Sequence, residues 1–234
     1  MTKRFGFTLA EVLITLGIIG VVAAMTIPTL ISNTNGAQFK TAYKKALSTL
    51  NQAVLMNLAM DDTDFSTLNA DADGSIPNGS MSQLLGARMQ SATEITDTYF
   101  ANGDVVVPAV TANCTAALIA DEDHDCHGQQ TTDTYVISPS VTYTATDAKV
   151  FSFADGTSFG FRIAAADCRD NNHANCTGFI DVNGANNPNT VIECDDAENS
   201  VCESSEITDI FPVVFHGQTV EPATDSARAV LFGK

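Results

Sequence analysis

KRFGFTLAEVLITLGIIGVVAAMTIPTLI, residues 3–31, decides how the rest of the chain is read. A short basic leader with Lys3 and Arg4 ends at Gly6, and an apolar run of 25 residues follows from Phe7 to Ile31. About 20 apolar residues in a helix are enough to cross a bilayer. The run carries one charge, Glu11, five places after Gly6. An acid at the centre of a membrane helix costs about 2.5–3.5 kcal/mol on insertion scales, so Glu11 calls for a reason such as a partner charge met after assembly. A secretory signal peptide has an apolar core of about 7–15 residues and a small-residue cleavage site. This run is longer, and AAMTI is a poor A-x-A site. A plain signal anchor would share the length and the basic flank, but it requires neither Gly6 nor Glu11.

The stretch resembles the N-terminus of type IV prepilins and of type II secretion pseudopilins. The residues that carry the resemblance are Lys3 and Arg4 in the leader, Gly6 at the cut, Phe7 as the new first residue, Glu11, Gly20 and Pro28. The resemblance implies cleavage between Gly6 and Phe7 by a membrane-embedded prepilin peptidase, and N-methylation of Phe7. A small residue is needed at Gly6, and catalysis belongs to the peptidase rather than to this chain. Glu11 is implied to neutralise the N-terminal amine of a neighbouring subunit; two charges buried together cost less than either alone. The span from Gly20 to Pro28 is implied to lose helicity when subunits pack. A second resemblance, to the C-terminal portion of pilin-like proteins, rests on FIDVNGANNPN (179–189) and DIFPVVFHGQTVEP (209–222).

Beyond the apolar run, Phe39, Tyr43, Leu47, Leu50, Val54 and Leu58 recur at steps of three and four, which is one face of an α-helix. One long helix is therefore expected from Phe7 to about Met60, interrupted near Pro28, where proline removes a hydrogen bond and clashes with the preceding turn. After Asp61 the sequence becomes rich in Asp, Asn, Gly, Ser and Thr. Residues 61–80 read as a loop, with DADG and PNGS as turns, and 81–92 as a short helix. Strands are expected at 104–110, 134–138, 141–144, 149–153, 158–163, 178–182 and 210–215. ADGT between two aromatic, β-branched runs is a hairpin signal. The fold expected is α+β and pilin-like. A long N-terminal helix with a membrane-spanning first half packs on a C-terminal antiparallel sheet domain with disulfide-bonded loops. The divisions are a leader (1–6), the helix (7–60, with 7–31 as span and filament core) and an acidic extracytoplasmic domain (61–234).

From Asp61 onward 27 Asp and Glu stand against six Lys and Arg, an excess of 21 negative charges. Such a surface repels DNA phosphates, whose binding needs Lys and Arg, so no nucleic-acid partner is expected; it suits solubility outside the cell. Cys114, Cys126, Cys168, Cys176, Cys194 and Cys202 all follow the apolar run. An even count in a domain that leaves the cytoplasm argues for three disulfides, out of 15 connectivities. Pairing neighbours in sequence would join Cys114 to Cys126, Cys168 to Cys176 and Cys194 to Cys202. Metal binding is the rival use, but no C-x-x-C occurs.

Asp181 and Asn183 in DVNG offer oxygen ligands of the kind calcium takes, and some major pseudopilins bind calcium in this region. Against that, the EF-hand template fails at Ala185 and Ile192, and an Asn-Gly turn is commonly only a turn. Asp121, Asp123 and Asp125 alternate in a second acidic loop. His124, Cys126 and His127 are too crowded for usual zinc spacings. Gly156-Thr157-Ser158-Phe159-Gly160 matches G-x-S-x-G, but a nucleophile elbow needs a strand followed by a helix, and a hairpin is expected here.

The function expected is a structural filament subunit, of a type II secretion pseudopilus or of a type IV pilus. Its partners are other pilin-like subunits, the prepilin peptidase, an inner-membrane assembly platform and membrane lipid. It starts in the inner membrane with its N-terminus cytoplasmic and ends in a periplasmic or extracellular filament. The other class that fits is a membrane-anchored extracytoplasmic binding or adhesion domain that never polymerises.

Overall fold

The computed structural model describes residues 8–71, 78–89, 92–113, 134–169, 175–186, 189–191 and 208–232. The chain divides into two units, Met1–Gln38 and Phe39–Lys234. The first helix, α1, is assigned over Leu9–Asp61 and so enters both. The expected interruption near Pro28 is not observed: the helix assignment continues through residues 20–28. The missing N–H and the ring clash of a proline act on its own position and the preceding turn, and the hydrogen bonds of the other turns carry the helix through. In the first unit, all the described side chains from Leu9 to Ile27 are exposed except Ala23, which is half-buried. This 19-residue stretch has a mean hydropathy of 2.2, long and apolar enough to cross a membrane.

In the second unit the periodic stripe of α1 is buried as expected. Tyr43, Leu47, Leu50 and Val54 are in the core, with Ala46 and Ala53 beside them, and Phe39 and Leu58 are half-buried at the ends. Each large apolar side chain buried this way stabilises the fold by roughly 1.5–3 kcal/mol. Tyr43 stacks on Phe211, with ring centroids 4.2 Å apart.

A 3-10 turn at Phe65–Thr67, helix α2 (Met81–Arg88), strand β1 (Thr93–Glu94), helix α3 (Thr96–Tyr99) and a 3-10 turn at Phe100–Asn102 follow. The strands are then β2 (Val105–Asn113), β3 (Thr134–Tyr143), β4 (Ala148–Ser152), β5 (Ser158–Arg162), β6 (Thr177–Asp181), β7 (Ile210–His216) and β8 (Thr219–Pro222). A last helix, α4, covers Asp225–Phe232. Six strands form one antiparallel sheet in the order β1-β4-β5-β6-β7-β8, while β2 and β3 make a separate antiparallel ribbon.

The side-chain alternation of strands explains the layers. Phe159, Phe161, Ile180, Phe211, Val213 and Phe215 share one core with α1 and α2. Ala148, Val150, Phe179, Ile210 and Val214 belong to a second core, with Val107, Val141 and Tyr143 of the ribbon and Tyr99 of α3. The sheet is thus covered on both faces, and β6 is buried at every position. The sequence reading put a helix on one face only; the ribbon supplies the other cover. The sequence also left β1, α3 and α4 unassigned, and it split β3 in two around Pro139, which lies within the strand. Close packing between strands requires glycine at Gly160, where an added Cβ would lie 2.3 Å from the Phe179 ring. The ADGT hairpin is present: Phe153 N donates to Thr157 O at 2.8 Å, and Gly156 takes a φ of +87°.

Candidate assembly segment and acidic turn

The start of α1 is built by a capping box, the T-x-x-E pattern of Thr8-Leu9-Ala10-Glu11. Glu11 Oε2 accepts from the Thr8 backbone N–H and from its hydroxyl, both at 2.8 Å, and Glu11 N donates to Thr8 Oγ1 at 3.3 Å. These bonds satisfy donors that a helix N-terminus leaves without an intrahelical partner. They use Oε2 alone, on a side chain exposed within the single chain. Two threonines in the apolar stretch satisfy their hydroxyls on the helix itself: Thr15 Oγ1 donates to Glu11 O at 2.9 Å, and Thr26 Oγ1 to Val22 O at 3.0 Å. Such back-bonding lets a polar side chain sit in an apolar segment. A Cβ added at Gly20 would meet nothing within 4 Å in the chain itself. Of the residues read from the sequence for processing and assembly, Gly6 and Phe7 lie outside the described residues, and Pro28 is described by its backbone alone.

Cys168 and Cys176 form a disulfide with Cα atoms 5.7 Å apart. The two cysteines are tied to the sheet and to the 65–67 turn: Gly217 N donates to Cys168 O at 2.8 Å, Phe215 N to Cys176 O at 3.0 Å, and Cys168 N to Phe65 O at 3.0 Å. Cys114, Cys126, Cys194 and Cys202 lie outside the described residues, as do Asp121, Asp123, His124, Asp125 and His127.

Asp181 ends β6, and its side chain is buried between the sheet and α3. Tyr99 OH donates to Asp181 Oδ2 at 2.6 Å, and Asn183 N donates to Oδ1 at 3.1 Å. The neighbouring Asp209 accepts from Asn189 N at 2.8 Å and Thr190 N at 2.5 Å. Burial pushes the Asp181 carboxyl up to about 7, and the negative charge of Asp209 adds to the rise. Burial likewise raises Asp209. Asp181 and Asn183 therefore do come together, as parts of one turn. The sequence reading missed Tyr99 and Asp209, whose partners lie 82 and about 20 residues away. Among the described residues no group of three or more His, Cys, Asp or Glu side chains converges as a metal site. Ser158 opens β5 directly opposite Asp181 in a strand–turn–strand, with a buried hydroxyl and no following helix, so the nucleophile-elbow geometry is absent there.

No curated protein and no solved structure matches the chain. Residues 1–27 match the family model described as the prokaryotic N-terminal methylation motif, the hallmark of type IV pilin-like proteins.

Proposed function

We propose that this chain is the precursor of a structural subunit of a type IV filament. The observation that carries the reading is the methylation motif over residues 1–27, with Glu11 as the lone charge of the apolar run from Phe7 to Ile31. The peptidase cuts between Gly6 and Phe7, Phe7 is N-methylated, and an inner-membrane platform extracts the subunit from lipid. Copies, or copies with other pilin-like subunits, then bundle through α1. Glu11 keeps Oε2 on Thr8 and pairs with the amine of a neighbour. The open space at Gly20 suits close helix approach, since a glycine lets backbones come together. The acidic domain from residue 61 onward faces outward. The chain itself is not an enzyme in this reading.

The filament is a type II secretion pseudopilus or a type IV pilus. Neighbouring genes distinguish them: a secretion gate favours the first and a retraction motor the second. Calcium at Asp181 and Asn183 is supported by the oxygen-rich turn alone, and calorimetric titration of the purified chain with calcium after chelation decides it. The competing reading is an anchored binding or adhesion domain that stays monomeric. Peptide mass spectrometry with and without a co-expressed prepilin peptidase is the test. A peptide beginning at methylated Phe7 is expected; an uncut chain, or a cut near Ala24, would overturn the filament reading.

A further inference from the structure

Outside the apolar stretch of α1, the large apolar side chains most exposed among the described residues are Leu55, Met56, Met60, Val106 and Phe232. Three of these sit together on the last turns of α1. Met56 and Met60 are one i, i+4 pair, so they lie side by side on the helix surface. Met56 is 52% exposed and Met60 68%, whereas Met81 and Met89, in the core at the two ends of α2, are 2% and 8% exposed. The same chain thus holds two open and two sheltered thioethers in one folded unit.

We propose that Met56 and Met60 are an oxidation site for peroxide-class oxidants. Hydrogen peroxide transfers one oxygen atom to the thioether sulfur. A sulfur lone pair forms the S–O bond, the O–O bond breaks, and water leaves. The product is methionine sulfoxide, polar where the thioether was apolar, and reductases reverse it. Both side chains point away from the core, so the change rewrites the outer face of α1 and leaves the packing under it intact. The inference stands without the filament reading.

The test is limited treatment of the full chain in detergent micelles with hydrogen peroxide. It is followed over time by peptide mass spectrometry and by a thermal melt read by circular dichroism. Met25 is held in the detergent-covered stretch and is not part of the comparison. Met56 and Met60 are expected to oxidise at least ~10 times faster than Met81 and Met89, with the melting midpoint unchanged. In the Met56→Leu, Met60→Leu double variant, which conserves volume, Met81 and Met89 are expected to keep their slow rate. Equal rates at all four sites, a midpoint that falls as Met56 and Met60 react, or faster oxidation of Met81 in the double variant would each overturn the proposal.

Discussion

Glu11 has two separable duties, one local and one proposed between chains. Locally its Oε2 closes the capping box with Thr8, and losing such a cap costs about 0.5–2 kcal/mol of helix stability. Between chains it would supply a charge. Glu11→Gln keeps an acceptor oxygen for Thr8 and removes the charge; Glu11→Ala removes both. Both variants are expected to insert and to be cut after Gly6 yet to give no sedimentable filament, as read by N-terminal mass spectrometry and shearing. Filaments from Glu11→Gln would show that the charge is dispensable and that capping is the residue's role. Gly160 is a second position where one atom decides the outcome. Gly160→Ala drives a methyl group into the Phe179 ring. The overpacking is expected to cost about 1–3 kcal/mol, seen as a lower denaturation midpoint with an unchanged slope.

At the level of elements, α1 is held to the sheet by more than its apolar stripe. Asn51 pairs with the outer edge of β8: its amide donates to Val220 O at 3.0 Å, and Val220 N donates to its carbonyl at 2.8 Å. A free strand edge is a template for pairing with other chains, so Asn51 both docks the helix and closes that edge. Asn51→Ala leaves two backbone groups without this partner. A loss of about 1–3 kcal/mol is expected, with increased self-association on light scattering at neutral pH. The Cys168–Cys176 bridge is the second tie. Closing a loop of this size stabilises by roughly 2–3 kcal/mol in the chain-entropy account, so Cys168→Ser with Cys176→Ser should lower the unfolding free energy by about that amount.

For the whole molecule, the burial of Asp181 links stability to pH. Its folded pKa is raised from 3.8 to about 7, so between those values the folded state holds more protons than the unfolded chain. Stability then falls as pH rises through this window, and the loss is complete above about pH 7. The shift corresponds to at most about 4 kcal/mol, since one pH unit of pKa is about 1.4 kcal/mol. Asp181→Asn should flatten that slope in urea titrations run from pH 4 to pH 8 with a chelator present. A wild-type stability that climbs with pH across the window would contradict the assignment of this slope to Asp181.

Local pattern was enough for the parts of this protein that local physics governs. The apolar run with its single acid, the three-and-four spacing from Phe39 to Leu58 and the Asp-Gly hairpin at 153–157 all rest on residues close in the chain, and each was legible there, whereas the choice of Cys176 as the partner of Cys168 among 15 connectivities was settled by the fold. The second core was not legible in the sequence. β2 and β3 read as strands, but nothing local says that they leave the main sheet and cover its far face. The four-residue α3 is too short for periodicity to register. The contacts of Asn51 with Val220, and of Tyr99 with Asp181, join residues 169 and 82 positions apart. Only the fold brings such side chains to one place, because burial and hydrogen bonding act through space while sequence patterns act through the few residues that share a turn or a strand.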